Sequence, residues 1–264
     1  KKAARIADKL GYPILVRPSF VLSGKAMTVI EEKEELDEYL RHLDLDISQY
    51  PLIMTSFLNG AREFDFDGVA KDGSILTWAL SEHIEEGGVH SGDSSLILPS
   101  PTASHKVNAH MRSDAAKIVR ALCVNGPFNI QFLVSEEIPY VIECNLRASR
   151  SFPFVSKVQQ VNFIDIATEV IIRTKHITVP AAKNGFTAVK VPQFSFQKLR
   201  GADPVTRVEM SSTGEVVGLG SNPYEAYLKG ILATGVKYPQ EKAALVSLGG
   251  AGAKLRFLES CRKL

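Results

Sequence analysis

Two runs of alternating polar and apolar residues, joined by an Asp-Gly turn, constrain the fold of this chain more than any other feature. Residues 63–67 are Glu-Phe-Asp-Phe-Asp, and a second run at residues 75–80 follows the turn at Asp72-Gly73. Alternation with a period of two predicts strands, and an Asp-Gly pair between two such runs predicts a β-hairpin. An antiparallel sheet is therefore expected here.

Further strands and several helices are predicted around this hairpin. Apolar residues spaced three or four apart predict helices, and short apolar runs bounded by glycine or proline predict strands. Strands are expected at residues 14–16, 26–30, 52–54, 128–134, 139–144 and 187–191, the fourth and fifth forming a second hairpin. Helices are expected at residues 6–10, 31–43, 104–124, 163–172 and 224–232. This mixture predicts an α/β, or α+β, fold.

The same patterns give several local expectations. Residues 82–99 are expected to form a long loop, and residues 212–215 a polar hairpin. Residues 243–250 are expected to form a strand and a glycine turn that open a last helix. In the helix at 104–124, the inward residues are predicted to be Val107, Met111, Ile118 and Leu122.

Composition excludes several classes of protein. The chain is 45% hydrophobic and 23% charged, which is typical of a globular protein and not of a disordered tail, a collagen-like fibre or a coiled coil. No apolar run approaches the roughly 18–20 residues that a membrane span needs. A net charge of +2 argues against a dedicated nucleic-acid binder. We therefore expect neither a membrane nor a nucleic acid as partner.

The cysteines and the N-terminus suggest a cellular setting. Cys123, Cys144 and Cys261 are scattered and form no CxxC pair, so neither a zinc site nor a disulfide framework is predicted. They are expected to be buried small side chains in a reducing compartment. The sequence begins at Lys1 without an initiator Met or a signal peptide. We expect a fragment of a longer cytoplasmic protein, with the mitochondrion as the alternative location.

Polar side chains are predicted to converge on one face of the second hairpin. Residues two apart in a strand face the same side, so Asn129 and Gln131 share a face, as do Glu143 and Asn145 at the end of the next strand. Such oxygen ligands suit Mg²⁺, which takes one or two protein carboxylates and leaves other positions to phosphate and water. The alternative is a solvated polar face without a metal.

Cationic residues follow this face directly. Arg147 and Arg150 come just after Asn145, and phosphoryl transfer needs cations because charge spreads over three oxygens of the moving group. Arg17, at the end of a predicted strand, is a second candidate for phosphate binding, and a glycine-bearing turn at residues 21–25 follows it. For Arg17 the alternative is a surface salt bridge. The chain has neither a P-loop nor a GxGxxG motif.

A loop of small and polar residues adds a third candidate region. Residues 88–94 are Gly-Val-His-Ser-Gly-Asp-Ser, and their backbone N–H groups could cradle an anion. His90 is a candidate for contact with substrate or nucleotide, with a plain surface histidine as the alternative. No Ser–His–Asp or Cys–His arrangement is visible in the sequence.

Several longer motifs resemble those of one known family. In chain order they are GYP-IL-VRPSFVLSG at residues 11–24, EHIE at 82–85, VHSGDS at 89–94, FNIQF at 128–132, IECNLRASR at 142–150, FPFVSK at 152–157, GADP at 201–204 and EMSSTGEV at 209–216. Together they resemble the large subunit of carbamoyl-phosphate synthetase, an ATP-grasp enzyme, over essentially the whole chain.

That subunit contains two homologous synthetase halves, and the motifs at residues 89–91 and 152–154 resemble the second. This half phosphorylates carbamate with MgATP, giving carbamoyl phosphate and MgADP for pyrimidine, arginine or urea synthesis. Residues 245–250 resemble the start of the allosteric module that follows it. The cysteine in Glu143-Cys144-Asn145 is similar to eukaryotic members, in which this half is fused into a larger polypeptide.

The resemblance implies an ATP-grasp fold with the nucleotide held between two lobes. The implied divisions are a small lobe at residues 1–56, a large lobe at 57–240, and the truncated start of the allosteric module at 241–264. The implied cofactors are ATP and Mg²⁺ or Mn²⁺, with K⁺ as a further candidate. The implied partners are bicarbonate-derived carbamate, the first synthetase half and a glutaminase, within an oligomer.

Site residues are implied by the resemblance position by position. Nucleotide contacts are implied for Arg17 (phosphates), Leu58 (backbone to adenine), Glu63 (ribose hydroxyls), Gly88, Val89, His90, Ser91, Gln131 and Glu143. Divalent metal ligands are implied at Gln131, Glu143 and Asn145, and catalytic roles at Arg147, Arg150 and His90. Ser56 stands where the family often has Lys or His near the nucleotide. Its hydroxyl group carries no positive charge, so Ser56 is given no phosphate role, but it stays a candidate for a hydrogen bond to the nucleotide.

Two other functions remain open at this point. One is a different ATP-grasp enzyme, such as a relative of biotin carboxylase or of purine biosynthesis that uses bicarbonate or another carboxylate. The other is a catalytically idle, structural or regulatory copy, which would have lost the metal set of Gln131, Glu143 and Asn145. The family's preceding subdomain, first half and glutaminase are not in this sequence, so we do not expect it to run the overall reaction alone.

Overall fold

The computed structural model describes most of the chain. The residues described are 2–19, 27–42, 51–85, 87–173, 175–183, 185–194, 210–237, 245–248 and 251–263. They fall into two compact units, Lys1–Thr234 and Gly235–Leu264. The predicted phosphate-facing turn at 21–25 and the motif at 201–204 lie outside the described residues. In the described ranges, no helix has the length and apolar character needed to cross a membrane.

A small antiparallel sheet occupies the N-terminal part of the first unit, with the strand order β2-β1-β3. Its elements are α1 (Lys2–Leu10), β1 (Ile14–Pro18), β2 (Thr28–Ile30), α2 (Lys33–His42) and β3 (Leu52–Ser56). Its core is formed by Ala7, Ile14, Val16, Ile30 and Leu36. Gly11 has φ +78° and directly follows α1, as is common at helix ends, so the predicted end of this helix is confirmed.

A seven-stranded antiparallel sheet follows, with the strand order β10-β9-β6-β5-β4-β7-β8. Its strands are β4 (Arg62–Lys71), β5 (Ser74–His83), β6 (Leu96–Leu98), β7 (Gly126–Ser135), β8 (Ile138–Asn145), β9 (Thr187–Gln193) and β10 (Gly214–Gly220). β4 pairs with β5, and β7 pairs with β8. Both predicted hairpins and the α/β fold class are therefore confirmed.

Helices cover the two faces of this sheet. They are α3 (His105–Ala121), α4 (Phe152–Gln159), α5 (Phe163–Ile171) and α6 (Pro223–Ala233). On one face, Phe64 and Phe66 pack in a core with Met111 of α3. On the other, Phe152 and Phe163 of α4 and α5 form a second core.

The alternation along β4 gives its polar residues a face of their own. Phe64 and Phe66 point toward α3, so Glu63, Asp65 and Asp67 point to the opposite face. All three carboxylates are buried, at 5%, 3% and 0% exposure. The polar half of the alternation therefore builds an interior site rather than a solvated surface.

The segment at residues 82–99 is more ordered than predicted. Instead of one long loop, Glu82 and His83 complete β5, and Leu96–Leu98 form β6 between β5 and β9. Three residues are too few to display an alternation, so the sequence does not reveal β6. The sequence also does not reveal α4, whose second residue is Pro153, although proline is tolerated in the first turn of a helix.

The inward face of α3 is confirmed for Val107 and Met111, and Ile118 is half-buried and packs against the same core. The prediction for Leu122 is wrong: this residue is 52% exposed because it lies beyond the end of the helix. The residues that α3 buries are Val107, Met111, Ala115 and Val119.

Predictions for the rest of the chain need three corrections. Residues 212–215 are not a tight hairpin, because β10 begins at Gly214 and pairs with β9. Residues 245–248 form no strand, although α7 (Ala251–Cys261) follows in the second unit as expected. The three cysteines are free, but Cys123 and Cys261 are exposed and only Cys144 is half-buried. The two exposed ones lie at helix ends, where side chains reach solvent.

Candidate functional site

One face of the β7–β8 hairpin carries the polar side chains that the sequence predicts. Asn129 lies directly opposite Asn145, and Gln131 lies opposite Glu143. Opposite residues of an antiparallel pair share a face, so the four side chains lie together. Asn145 Nδ2 donates to Glu143 Oε1 at 2.8 Å, which leaves the amide oxygen of Asn145 outside that bond. The predicted convergence is confirmed.

This donor set fits a divalent cation. One carboxylate and two amide oxygens form the kind of partial protein shell that Mg²⁺ accepts, since Mg²⁺ keeps waters and substrate phosphates. Glu143 is exposed and therefore accessible to both. Within the described ranges, no three His, Cys, Asp or Glu side chains are grouped to hold a metal. Ligation by Gln131, Glu143 and Asn145 stays a prediction.

Glu63 lies beneath the loop that contains Gly88. Its carboxylate is 5% exposed and accepts a hydrogen bond from the backbone N–H of Gly88. Burial raises the pKa of Glu63, and the charges of Asp65 and Glu143 add to the rise against the opposing charge of His83. The start of β4, the glycine loop and the end of β8 therefore lie close enough to influence one another.

Glycines allow this loop to lie against the turn that carries Leu58. The N–H of Gly87 donates to the carbonyl of Ala61 at 3.1 Å. A Cβ on Gly88 would lie 3.1 Å from the ring of Phe57, and the φ of Gly88 is +109°, a conformation that glycine adopts without steric cost. The turn at Leu58 and the loop that continues through Val89 are therefore neighbours, as nucleotide binding by both would require.

His90 is held as a neutral hydrogen-bond donor. The N–H of Gly92 donates to His90 Nδ1 at 3.0 Å, so the proton of the neutral ring belongs on Nε2. Burial lowers the pKa of His90 and outweighs the opposing charges of Asp93 and Glu143. Near neutral pH, His90 therefore presents an Nε2–H group, and the charge of Arg150 also reaches it.

Arg150 and the same loop share an anchor in the segment before β10. Arg150 Nη1 donates to Ser212 Oγ at 3.3 Å and contacts Met210 Sδ at 3.1 Å. Asp93 accepts the N–H groups of Ser211 and Ser212 at 2.7 and 2.8 Å. Arg150 and the loop at 88–94 are thus fixed relative to each other, although they lie far apart in the chain.

The remaining predicted residues are less constrained. Arg147 is exposed, and its Nη1 donates to the carbonyl of Ala148 at 3.2 Å. Arg17 lies on β1 and Ser56 ends β3, both in the three-stranded sheet. In the part of the chain that is described, no hydrogen bond or ion pair joins either side chain to the larger sheet. Their nucleotide contacts stay predictions.

A buried network that sequence reasoning missed lies on the same face of the sheet, directly beside Gln131. His83 Nε2 is 2.9 Å from Asp65 Oδ2. Asn129 Nδ2 donates to Asp65 Oδ1 at 3.0 Å and to Asp67 Oδ1 at 2.9 Å. Burial opposes the charge of both partners, yet their hydrogen bond lowers the pKa of Asp65 and raises the pKa of His83. They therefore form an ion pair.

Lys190 is a further candidate residue of the functional site, and sequence reasoning missed it. It is 1% exposed on β9, and its Nζ donates to the carbonyl of Ser91 at 3.2 Å. Burial lowers the pKa of Lys190, while the charges of Glu215 and Asp65 oppose that effect. The sequence gives one signal for this residue, which is a single charge inside the apolar run Ala-Val-Lys-Val at residues 188–191. A lysine in such a run is expected to be buried, and a buried charge needs partners.

Comparison with known proteins identifies the family. Residues 1–175 match the model described as the carbamoyl-phosphate synthase L chain, ATP binding domain. The chain belongs to this family. It is 46% identical over 265 residues to the multifunctional protein URA2 of Saccharomyces cerevisiae, and the match covers 100% of this chain and 12% of that protein. It is 45% identical over 247 residues to the mitochondrial carbamoyl-phosphate synthase (ammonia) of Rattus norvegicus, covering 91% of this chain and 16% of that protein.

The chain therefore spans only a minor part of the length of these family members. Among solved structures, it is similar to the biotin carboxylase of Campylobacter jejuni, with a TM-score of 0.68 and 15% identity over 86% of this chain and 58% of that chain. Biotin carboxylase is an ATP-grasp enzyme, so the predicted ATP-grasp fold is confirmed. At this identity, the likeness concerns the fold alone.

Proposed function

We propose that this chain is the domain of a carbamoyl-phosphate synthase that phosphorylates carbamate with ATP. The observation that carries the proposal is the shared face of Gln131, Glu143 and Asn145, followed within one turn by Arg147 and Arg150. Family membership supports carbamoyl-phosphate synthesis, and the motifs at residues 89–94 and 152–157 favour the carbamate step.

In this proposal, the nucleotide lies along the start of β4 and the glycine loop. The carboxylate of Glu63 accepts the ribose hydroxyls, and the backbone at Leu58 meets the adenine. Residues 88–91 close the pocket beside them, and Arg17 of the small sheet reaches the phosphates. The hydrogen bond from the Gly88 N–H to Glu63 supports this arrangement, because it fixes the carboxylate next to the loop.

Gln131, Glu143 and Asn145 would hold Mg²⁺ next to the phosphates. The bound ion supplies positive charge that offsets the phosphate oxygens and orients them. The three side chains keep their oxygens on one face because two of them are cross-strand partners and the third bonds to Glu143. Mn²⁺ suits the same oxygen ligands, and K⁺ stays a further candidate.

Arg150, Arg147 and His90 act on the group that is transferred. A carbamate oxygen attacks the γ-phosphorus, the bond from that phosphorus to the ADP oxygen breaks, and ADP leaves. Carbamate is already anionic at its attacking oxygen, so no base has to remove a proton. Catalysis then rests on positioning and on cations and N–H donors that meet the developing charge. Arg150 and the Nε2–H of His90 supply such groups from two fixed elements.

We also propose that the chain functions inside a longer polypeptide. Residues 1–56 and 57–240 would be the two lobes of the ATP-grasp domain, and residues 241–264 would begin the following module. A first synthetase half, fed by a glutaminase, would supply the carbamate within an oligomer. The multifunctional relative in yeast, of which this chain covers 12%, supports a fused arrangement.

The reverse of the proposed step provides the test. We expect the full-length protein to form ATP from carbamoyl phosphate and MgADP without glutamine or bicarbonate, because only this step is needed. Glu143→Gln should reduce that activity by orders of magnitude, since it removes the one charged metal ligand. Glu136→Gln, in the exposed turn of the same hairpin, is the matched control. No ATP formation by the wild type, or full activity in Glu143→Gln, would contradict the proposal.

A further inference from the structure

Asp67 is a buried carboxylate without a part in the proposed chemistry. It lies in β4 and is 0% exposed. Ser149 Oγ donates to its Oδ1 at 2.6 Å, and Ser151 Oγ donates to its Oδ2 at 2.6 Å. Asn129 Nδ2 donates to its Oδ1 at 2.9 Å. Three donors from two segments therefore meet on one buried acid.

The two serines flank Arg150 directly in the chain. They belong to the turn at residues 146–151, between the end of β8 at Asn145 and the start of α4 at Phe152. This turn also carries Arg147. Sequence separations of 82 and 84 residues show that Asp67 anchors the turn to a distant strand.

Within the described ranges, the other contacts of this turn do not fix both arginines. There Arg147 bonds to the adjacent carbonyl of Ala148, and Arg150 interacts through its own guanidinium with the segment before β10. The hydrogen bonds to Asp67 hold the residues on both sides of Arg150 against the sheet. Asn129 is the cross-strand partner of Asn145 and therefore extends this anchor to the end of β8.

We propose that Asp67 is a positioning residue, which holds the turn bearing Arg147 and Arg150 in register with Glu143 and its neighbours through Ser149 and Ser151. The inference rests on the proposed function, because it assigns the anchor a role in that phosphoryl transfer. A carboxylate suits the task since it offers acceptors to all three donors. An asparagine there would present an NH₂ group to one of the hydroxyl groups and lose part of the anchor.

A purely structural role predicts a different result. If the network only completes the core, its loss lowers stability and the amount of folded protein, while kcat per folded molecule stays at the wild-type value. If it positions the arginines, turnover falls while nucleotide binding stays, because the proposed ribose and adenine contacts are on other segments. A small misplacement of catalytic groups is enough to cost on the order of 10²-fold in rate.

The experiment compares Ser149→Ala, Ser151→Ala, the double variant and Asp67→Asn in the full-length protein. ATP formation from carbamoyl phosphate and MgADP is measured, with Ser113→Ala on the exposed side of α3 as the control. We expect kcat to fall about tenfold in each single serine variant and on the order of 10²-fold in the double variant and in Asp67→Asn. The KM for MgADP should change less than about twofold. If Asp67→Asn does not fold, the serine variants decide, because each removes one hydroxyl group.

Limited trypsin digestion gives a readout that does not depend on activity. Cleavage after Arg147 and Arg150, identified by mass spectrometry of the peptides, should be faster in the double variant than in Ser113→Ala. Unchanged kcat and cleavage in the double variant, or a rise in the KM for MgADP that matches the fall in kcat, would overturn the inference. If the wild type forms no ATP, the proposed function fails, and the digestion still decides whether Asp67 anchors the turn.

Discussion

His83 and Asp65 form a buried ion pair at the centre of the larger sheet, with 2.9 Å between Nε2 and Oδ2 and side-chain exposures of 1% and 4%. Neighbouring strands carry the two residues, and Asn129 satisfies the second oxygen of the acid. The pair lies on the same face of the sheet as the proposed metal ligands, since Asp65 is the cross-strand neighbour of Gln131. It therefore links the stability of the sheet to the position of that face.

Removing one member of this pair should destabilise the chain strongly. His83→Ala leaves a buried carboxylate without its cation, which costs about 3–5 kcal/mol. Urea unfolding measures this loss, and the single tryptophan, Trp78, serves as the probe because its ring stacks on Phe66 at 5.1 Å.

An exposed pair on α3 provides the control. His110 Nε2 lies 3.3 Å from Asp114 Oδ2, with side-chain exposures of 50% and 23%. His110→Ala should change the free energy of unfolding by less than about 0.5 kcal/mol, as expected for a surface pair. If His83→Ala and His110→Ala lowered the free energy of unfolding equally, the buried pair of His83 would contribute no more to stability than the exposed pair of His110.

The stability of the chain should depend on pH through the ionisation of Asp67. Burial and the neighbouring charge of Asp65 raise the pKa of Asp67 to about 6, from an ordinary value of 3.8. The folded state binds this proton more tightly than the unfolded state, so the contribution of Asp67 to stability is complete below about pH 4 and is lost as the pH rises to about 6.

Asp67→Asn should remove that loss. We expect the free energy of unfolding, measured with urea, to fall between about pH 4 and about pH 7. The fall should be on the order of 2 kcal/mol larger for the wild type than for the variant. Asp72→Asn, in an exposed turn, should follow the wild type. Parallel pH profiles for the wild type and Asp67→Asn would show that folding does not raise the pKa of Asp67.

Glu63 should determine how the chain recognises ribose. Glu63→Gln keeps the shape of a side chain that is 5% exposed but removes the charge from the bonds to the ribose hydroxyls. MgATP affinity should fall by about 1–3 kcal/mol. Calorimetric titration with ATP and 2′-deoxyATP checks the assignment, since the wild type should prefer ATP and the variant should discriminate less. Undiminished discrimination in the variant would place the ribose elsewhere.

Gly88 should tolerate no side chain. Its φ of +109° is unfavourable for alanine, and a Cβ would lie 3.1 Å from the Phe57 ring. Gly88→Ala should therefore displace the loop from the turn at Leu58 and weaken MgATP binding. Gly185→Ala is the matched control, because nothing lies within 4 Å of its added Cβ. Equal MgATP affinity in the two variants would show that the loop conformation does not matter for the nucleotide.

Local patterns are what made the two hairpins and the polar face predictable. The turn at Asp72-Gly73 and the alternation on either side fix a register without information from distant segments. The same rule placed Gln131 on the face of Asn129, and the hairpin turn brought Glu143 opposite. These relations span few residues, so a single sequence contains them.

The parts that sequence reasoning missed depend on distant segments. Asp93 bonds to residues 118 and 119 positions later, and Lys190 bonds to Ser91, 99 positions away. The alternation in β4 shows that Asp65 and Asp67 share a face, but only the serines before α4 show that this face is covered. The roles of Arg17 and Ser56 stay predictions because no described contact tests them.

The metal ligands and the arginines should respond differently to magnesium, and this difference tests the proposed mechanism. Glu143→Gln removes the only carboxylate of the predicted metal set, so the Mg²⁺ concentration at half-maximal ATP formation should rise markedly. Arg147→Ala and Arg150→Ala leave the three oxygen ligands in place. They should lower kcat and keep the Mg²⁺ midpoint within about twofold of the wild type, because their charge acts on the transferring group.

Arg150→Ala should have the larger effect of the two on turnover. Arg150 is held by Ser212 and lies near His90, whereas the hydrogen bond of Arg147 among the described residues goes to the carbonyl of its neighbour Ala148. A preorganised cation contributes more to transition-state binding than one that has to be ordered during the reaction. A normal Mg²⁺ midpoint and normal turnover in Glu143→Gln would remove the metal from this face. In that case the two arginines and the metal ion would not share a site, and the phosphoryl transfer would have to occur at another part of the sheet.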